Sequence, residues 1–194
     1  MAKLYFRYGA MNSGKTTAML QVAHNYEEKG MKVLLLKPSI DTKGDNKVVS
    51  RLGIDREVDF LISQTESLKN LLKPFRDNVD CIILDEVQFL KKFQIDELFE
   101  ISIIWDIPVI CYGLRTDFLM NGFEGSERLL LIAHSIEELK TICQCGKKAI
   151  TNGRKINGKF VFSGDQCAID GEKDVTYEPL CGKCFIKRRE VYDI

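Results

Sequence analysis

Eight residues near the start of the chain constrain its fold more than any others: Gly9-Ala10-Met11-Asn12-Ser13-Gly14-Lys15-Thr16 fits the spacing G-x-x-x-x-G-K-[ST]. A short β-prone run with Tyr5, Phe6 and Tyr8 leads into it and breaks at Gly9. The spacing encodes an anion cradle. Gly9 and Gly14 let the backbone turn tightly so that successive N–H groups face inward, and a helix opening near Gly14 adds the positive end of its dipole. In such a loop Lys15 reaches the β- and γ-phosphates of a nucleotide and the Thr16 hydroxyl ligates Mg²⁺. A glycine turn fitting the pattern by chance is disfavoured by the strand before it and by the helical spacing of Ala18, Val22 and Tyr26 after it.

Residues 16–29 read as a helix, ended by Gly30 with Lys29 in the last turn, and residues 32–36 as a buried strand. Strand, loop, helix and strand form a βαβ unit, whose ligand site lies at the carboxyl ends of the strands. Residues 37–53 are polar, rich in turn formers and without period, and read as a loop. A short strand is expected over 57–62, a short helix over 67–72 stopped near Pro74, and an apolar strand over 80–84. That last strand delivers Asp85 and Glu86. In a protein with a phosphate loop, Asp85 stands at the Walker-B position on Mg²⁺, and Glu86 can orient and deprotonate an attacking hydroxyl. A helix over 91–105, with Ile95, Leu98 and Phe99 inward, precedes a fourth buried strand over 107–111 with Pro108 at its start. The run 112–118, YGLRTDF, follows its carboxyl end, and Arg115 within it is either a salt-bridged structural arginine or a phosphate contact.

A chain of 194 residues suffices for one main core with a small appendage. Lys+Arg and Asp+Glu are both 28, which lacks the basic footprint of sequence-independent nucleic-acid binding. Short apolar runs and 29% charged residues fit neither a membrane span nor a secretory leader, so a cytoplasmic location is expected.

Seven cysteines, an odd number, disfavour a disulfide framework. Cys143-Gln144-Cys145 and Cys181-Gly182-Lys183-Cys184 are paired knuckles whose four sulfurs can close a tetrahedral, structural Zn²⁺ site. Such a clip stabilises a segment too poor in apolar residues to hold a core. Cys81 and Cys111 lie in apolar strands and read as small buried hydrophobes, His24 and His134 as structural, and Cys167 has no assigned role.

The phosphate loop GAMNSGKTT, the strand end DEVQFL, the run CYGLRTDF, the stretch FEGSERLL and the cysteine knuckles, in this order, closely resemble the type II thymidine kinases, the bacterial form in particular. That resemblance implies an α/β fold with a RecA-like P-loop parallel sheet, helices on both faces, over 1–138. A small zinc-ribbon, or lasso, domain over 139–194 would cover the nucleoside. It implies ATP-dependent phosphorylation of thymidine, and of deoxyuridine, with Glu86 as general base on the 5′-hydroxyl. Gly9 to Thr16, Asp85 and Gln88 would manage ATP and Mg²⁺, and Cys143, Cys145, Cys181 and Cys184 would hold Zn²⁺. The thymine pocket would draw on Phe89, Leu114, Phe118, Phe123, Ser126, Thr151, Ile169, Gly171 and Tyr177. A homotetramer inhibited by thymidine triphosphate is the family's habit. Asp41-Thr42-Lys43 departs from the family's Asp-x-Arg, since lysine lacks arginine's planar fork. The stretch 164–181 is about two residues longer than the family pattern, which shifts the placing of Ile169 and Gly171. Two other classes share parts of this pattern: a RecA-like ATPase gripping nucleic acid through zinc knuckles, and a non-catalytic zinc-binding adaptor on a nucleotide fold.

Overall fold

Gly14 sits at φ 78°, a conformation glycine adopts without steric cost, and this turns the chain from strand β1 (Leu4–Tyr8) into helix α1 (Lys15–Glu27). This computed structural model describes residues 1–40, 46–50, 53–166 and 174–191. Strands β2 (Val33–Pro38), β3 (Lys47–Val49), β4 (Asp55–Glu57) and β5 (Phe60–Ile62) follow, then helix α2 (Leu68–Leu72), a 3₁₀ turn at Lys73–Asn78 and strand β6 (Cys81–Leu84). A 3₁₀ turn at Val87–Phe89 leads to helix α3 (Lys92–Ile104), strand β7 (Val109–Gly113), helix α4 (Glu124–Ile132) and strand β8 (Ser135–Glu138). Strands β9 (Thr151–Ile156), β10 (Lys159–Val161) and β11 (Val175–Leu180) and helix α5 (Gly182–Glu190) complete the described chain.

Six strands form a parallel sheet in the order β5-β2-β6-β7-β1-β8. The apolar runs are explained by burial on both faces. Leu4, Phe6, Leu34, Leu36, Ile82 and Leu84 pack on one side with Ile95, Leu98 and Ile101 of α3 and with Leu129 of α4. Val33, Leu35, Cys81, Ile83, Ile110 and Tyr112 pack on the other with Met19, Leu20 and Ala23 of α1. Helices therefore lie on both faces, as expected. Because β7 lies between β1 and β6, the ends of the phosphate-loop strand and the acidic strand stand two strand spacings apart, about 9.6 Å. That span suits the tail of a nucleoside triphosphate.

Strands β10-β9-β11 form a separate antiparallel sheet on which α5 and the cysteine knuckles gather. Its core is small: Cys143, Ala149, Phe160, Leu180, Cys181 and Phe185. A Cβ on Gly153 would lie 2.6 Å from the Phe160 ring and 2.7 Å from Leu180, so the sheet closes there only on glycine.

Several local expectations shift. The strand expected over 57–62 is two: β4 pairs antiparallel with β3, whereas β5 joins the parallel sheet. The break comes from Asp59, whose carboxylate accepts from Leu35 N at 2.7 Å while its own amide donates to Leu35 O at 2.7 Å. The loop expected over 37–53 contains β3, whose Val48 is buried under α1's face of the sheet. On α1 the deepest positions are Met19, Leu20 and Ala23, with Ala18, Val22 and Tyr26 flanking them. The strand expected over 107–111 begins after Pro108 and runs to Gly113.

Candidate active site

The loop from Gly9 to Gly14 is built as its spacing demands. A Cβ on Gly9 would stand 2.3 Å from Leu139 O and 2.5 Å from Ser13 Oγ, so no side chain fits. Asn12 adopts φ 65°, a left-handed conformation that asparagine tolerates better than most residues. Lys15 is buried, and its ammonium donates to Gly9 O and Ala10 O, each at 3.0 Å, which holds the charge against the loop. Among the described residues, Ser13 Oγ is buried without a protein hydrogen-bond partner. A lysine, a buried hydroxyl and a helix N-terminus converging on one turn fit an oxygen-rich anion such as a nucleotide phosphate.

Asp85 follows β6 and is 5% exposed. Its amide donates to Leu36 O at 3.0 Å and its Oδ1 accepts from Glu86 N at 3.0 Å. Glu86 has φ 48°, ψ 38°, a strained left-handed geometry for a residue with a side chain. That geometry turns the chain into the Val87–Phe89 turn, and Gln88 then folds back. Gln88 Nε2 donates to Glu86 Oε2 at 2.5 Å while its Oε1 accepts from Leu114 N at 3.0 Å. One buried carboxamide thus ties the acidic turn to the loop after β7. A Cβ on Gly113 would meet Gln88 Oε1 at 2.6 Å, so this junction also requires glycine.

The described nucleoside residues of the expected set fall into two groups, Phe89, Leu114, Phe123 and Ser126 beside this turn and Phe118, Thr151 and Tyr177 around Asp117 and Arg154. Phe89 and Phe123 meet edge-on, 5.8 Å between centroids. Ser126 is fully buried and its hydroxyl donates to Leu114 O at 2.5 Å, so it shapes the wall of the site through Leu114. Phe118 is buried in a turn organised by Asp117, whose carboxylate accepts from Leu119 N and Asn121 N at 2.8 and 2.9 Å. Thr151 is buried with its hydroxyl 3.5 Å from Asp117 O. The Tyr177 hydroxyl accepts from Arg154 Nε at 3.0 Å. Ile169, Gly171, Lys43 and Cys167 lie outside the described residues. Thr16 follows Lys15 in the first turn of α1.

Among the described residues Arg115 makes no salt bridge: its guanidinium lies 5.3 Å over the Tyr8 ring and donates to Ile150 O at 3.4 Å. It helps line a cleft with Gly9, Ala10, Thr116, Thr151 and Asn152. His134 Nδ1 accepts from Leu4 N at 3.0 Å and stacks on Phe99, a structural role, whereas His24 is exposed beside Glu28.

Two functional candidates escape a reading of the sequence. Arg154 is buried in β9, its guanidinium 3.7 Å over the Phe118 ring. It donates to Asp165 O at 2.7 Å, to Gln166 O at 2.8 Å and to Tyr177, while Gln166 Nε2 donates to Asp117 Oδ2 and Gly122 O. Asn152, also buried, accepts from Met11 N at 2.8 Å. Both belong to a polar strand whose residue types carry no motif.

The four cysteines come together as expected, with all sulfurs within 4.8 Å of one another and Cys145 and Cys181 3.5 Å apart. A tetrahedron with metal–sulfur bonds of about 2.3 Å has sulfur–sulfur edges of about 3.8 Å, so this donor set fits Zn²⁺. Gly146 at φ 82° turns the first knuckle, closed by Gly146 N to Cys143 O at 2.8 Å. Cys181 caps α5, and the Cys184 amide pointing at its sulfur pulls that thiol down to about 7. Burial raises the Cys143 thiol, but the amides of Cys145 and Cys181 together with the Cys145 and Cys184 thiols outweigh it and the net shift is downward. Thiolate-favouring amides are what a metal-binding knuckle needs.

The family model described as "Thymidine kinase" matches residues 2–185. A thymidine kinase of Francisella tularensis subsp. holarctica is 43% identical over 190 residues, covering 94% of this chain and 96% of the relative. One of Streptococcus agalactiae serotype Ia is 45% identical over 187 residues, covering 95% and 97%, and one of Streptococcus gordonii is 43% identical over 189 residues, covering 96% and 97%. Among solved structures, the replication initiator DnaA bound to AMPPCP and single-stranded DNA overlaps 72% of this chain and 41% of its own at 19% identity, with a TM-score of 0.44.

Proposed function

This chain belongs to the thymidine kinase family, and from that premise we propose how its residues divide the reaction. The activity is phosphorylation of thymidine with ATP as donor. The finer reading is transfer to the 5′-hydroxyl, with deoxyuridine as a second acceptor. The hydroxyl oxygen forms a bond to the γ-phosphorus, the bond from that phosphorus to the β–γ bridging oxygen breaks, ADP departs, and the hydroxyl proton passes to Glu86.

The observation that supports this division is that Lys15, Asp85 and Glu86 all follow the carboxyl ends of parallel strands in one sheet, with the Glu86 carboxylate oriented by Gln88. With one carboxylate oxygen engaged by Gln88, the other can accept the acceptor's proton. Lys15 and the loop amides of Gly9 to Thr16 hold the phosphates. Mg²⁺, when bound, would neutralise developing phosphate charge, held by Thr16 and Asp85. Phe89, Leu114, Phe118, Phe123 and Ser126 form one wall for the base, and Thr151 and Tyr177 reach it from the small domain. Catalysis then comes mainly from positioning and charge neutralisation. Zn²⁺ on Cys143, Cys145, Cys181 and Cys184 would be structural, since all four positions are taken by sulfur. The division into 1–138 and 139–194, a homotetramer and a cytoplasmic location complete this reading; among the described residues no helix is long and apolar enough to cross a membrane.

The test is a screen of purified protein with labelled ATP against the common deoxynucleosides. Thymidine-dependent ADP release supports the reading. ADP release stimulated by DNA and indifferent to thymidine would replace it with a nucleic-acid ATPase.

A further inference from the structure

Three consecutive residues of the phosphate loop are held by the cysteine-bearing domain. Ala10 packs against that domain's core of Cys143, Ala149, Phe160, Leu180, Cys181 and Phe185. Met11 N donates to Asn152 Oδ1 at 2.8 Å. Asn12 O accepts from Thr141 Oγ1 at 3.2 Å. A fourth contact comes from Leu139 O, which presses on Gly9 so closely that a Cβ there would stand 2.3 Å away.

These anchors lie next to the metal knuckles in the backbone pairing. Asn152 is opposite Pro179 in the β9–β11 ladder, two positions before Cys181, and Ile150 N donates to Leu180 O at 2.9 Å. Thr141 stands two positions before Cys143 and accepts at its backbone carbonyl from Ala149 N at 2.9 Å. A loop that turns on Gly9 and Gly14 has more backbone freedom than any other part of the site. Its shape is therefore set from outside. The main sheet fixes its two ends, and the small domain fixes its middle.

We infer that Asn152 is a positioning residue for the nucleotide loop and that, through it and Thr141, the four-cysteine cluster and the ATP site are thermodynamically coupled. The inference rests on reading the Gly9 to Thr16 loop as the ATP site. The Met11 amide is part-buried, and without the Asn152 acceptor nothing on the small domain holds it in the conformation that faces the phosphates. Coupling is reciprocal: a nucleotide that stabilises the pinned loop tightens metal binding, and loss of metal weakens nucleotide binding by the same factor.

The experiment uses the full-length, zinc-loaded protein and reads binding directly. Equilibrium binding of MgADP is measured for wild type, Asn152→Ala and Thr141→Val, alongside KM for thymidine. The expected result is MgADP binding weakened about tenfold by Asn152→Ala, which loses a part-buried hydrogen bond, and a few-fold by Thr141→Val, which loses an exposed one, with thymidine KM within about twofold of wild type. The reciprocal arm follows zinc transfer to a colorimetric chelator at equilibrium: MgADP makes wild type retain its zinc and does so less in Asn152→Ala, where only the Thr141 contact remains. MgADP binding by a folded Asn152→Ala within twofold of wild type, with metal release indifferent to ADP, overturns the inference. Should Asn152→Ala fail to fold by circular dichroism, Thr141→Val decides by the same criteria. Wild-type protein that phosphorylates thymidine but shows no such coupling overturns only this inference, whereas wild type that does not bind MgADP removes the ATP-site reading beneath it.

Discussion

Gln88 holds the Glu86 carboxylate at 2.5 Å with one end of its carboxamide while its other end takes the Leu114 amide, so the proposed base is aimed by the chain segment that walls the acceptor pocket. Aiming and chemistry can be separated by substitution. Glu86→Gln keeps the shape and an oxygen for Gln88 to contact but cannot take a proton. Turnover with thymidine is expected to fall by about 10²–10⁴-fold while MgADP binding stays near wild type, measured by steady-state kinetics and equilibrium titration. Turnover within tenfold of wild type would remove Glu86 from the role of base.

Gly113 tests the aiming directly. An alanine Cβ would lie 2.6 Å from Gln88 Oε1 and 2.9 Å from Val87 Cγ2, in a junction with no room to yield. Gly113→Ala should cost about 1–3 kcal/mol of stability through overpacking. It should also lower turnover with thymidine, because Gln88 must leave either Leu114 N or Glu86. Denaturant unfolding and the rate measured on the folded protein check the two effects separately.

Arg154 bears on the acceptor side. Its guanidinium joins Asp165 O, Gln166 O and the Tyr177 hydroxyl while covering one face of Phe118. Arg154→Met leaves two carbonyls and a hydroxyl without their donor, and the turn carrying Phe118 loses its brace. Thymidine KM is expected to rise about tenfold with MgADP binding unchanged. Arg154→Lys recovers only part of the loss, because an ammonium cannot reproduce the fork or the stack.

How much of this was readable in advance follows from the kind of interaction involved. The phosphate loop, Asp85, Glu86 and the cysteine knuckles announce themselves because their chemistry demands fixed residue types at fixed short spacings. The sheet was legible because strands buried on both faces, such as Val33–Pro38, must be apolar throughout. The split at Asp59 was not, since it depends on a carboxylate finding the backbone of Leu35, 24 positions away. Nor were Asn152 and Arg154, which meet Met11 and Phe118, 141 and 36 positions away, only when the small sheet docks. Arg115 could be narrowed to two roles from its place after β7; the described residues give it no salt bridge, and its stack on Tyr8 leaves no local pattern.

The cysteines give a prediction about which part of the fold needs the metal. Burial alone pushes the Cys111 thiol far up, and burial with nearby Asp80, against the lowering hydrogen bond to Tyr26, pushes Cys81 up to about 12, so neither is a thiolate near neutral pH. Both sit in the main sheet, whose two cores contain none of the metal-site cysteines. Among the described residues the small domain's apolar core has six buried members, two of them metal-site cysteines. Chelation should therefore unfold β9 to α5 while the parallel sheet persists. After chelation, iodoacetamide at pH 8 should modify Cys143, Cys145, Cys181 and Cys184 and leave Cys81 and Cys111 intact, as read by peptide mass spectrometry. Modification of Cys81 at the rate of Cys145 would mean that the sheet opens with the clip, and that the cysteine cluster holds together the whole enzyme.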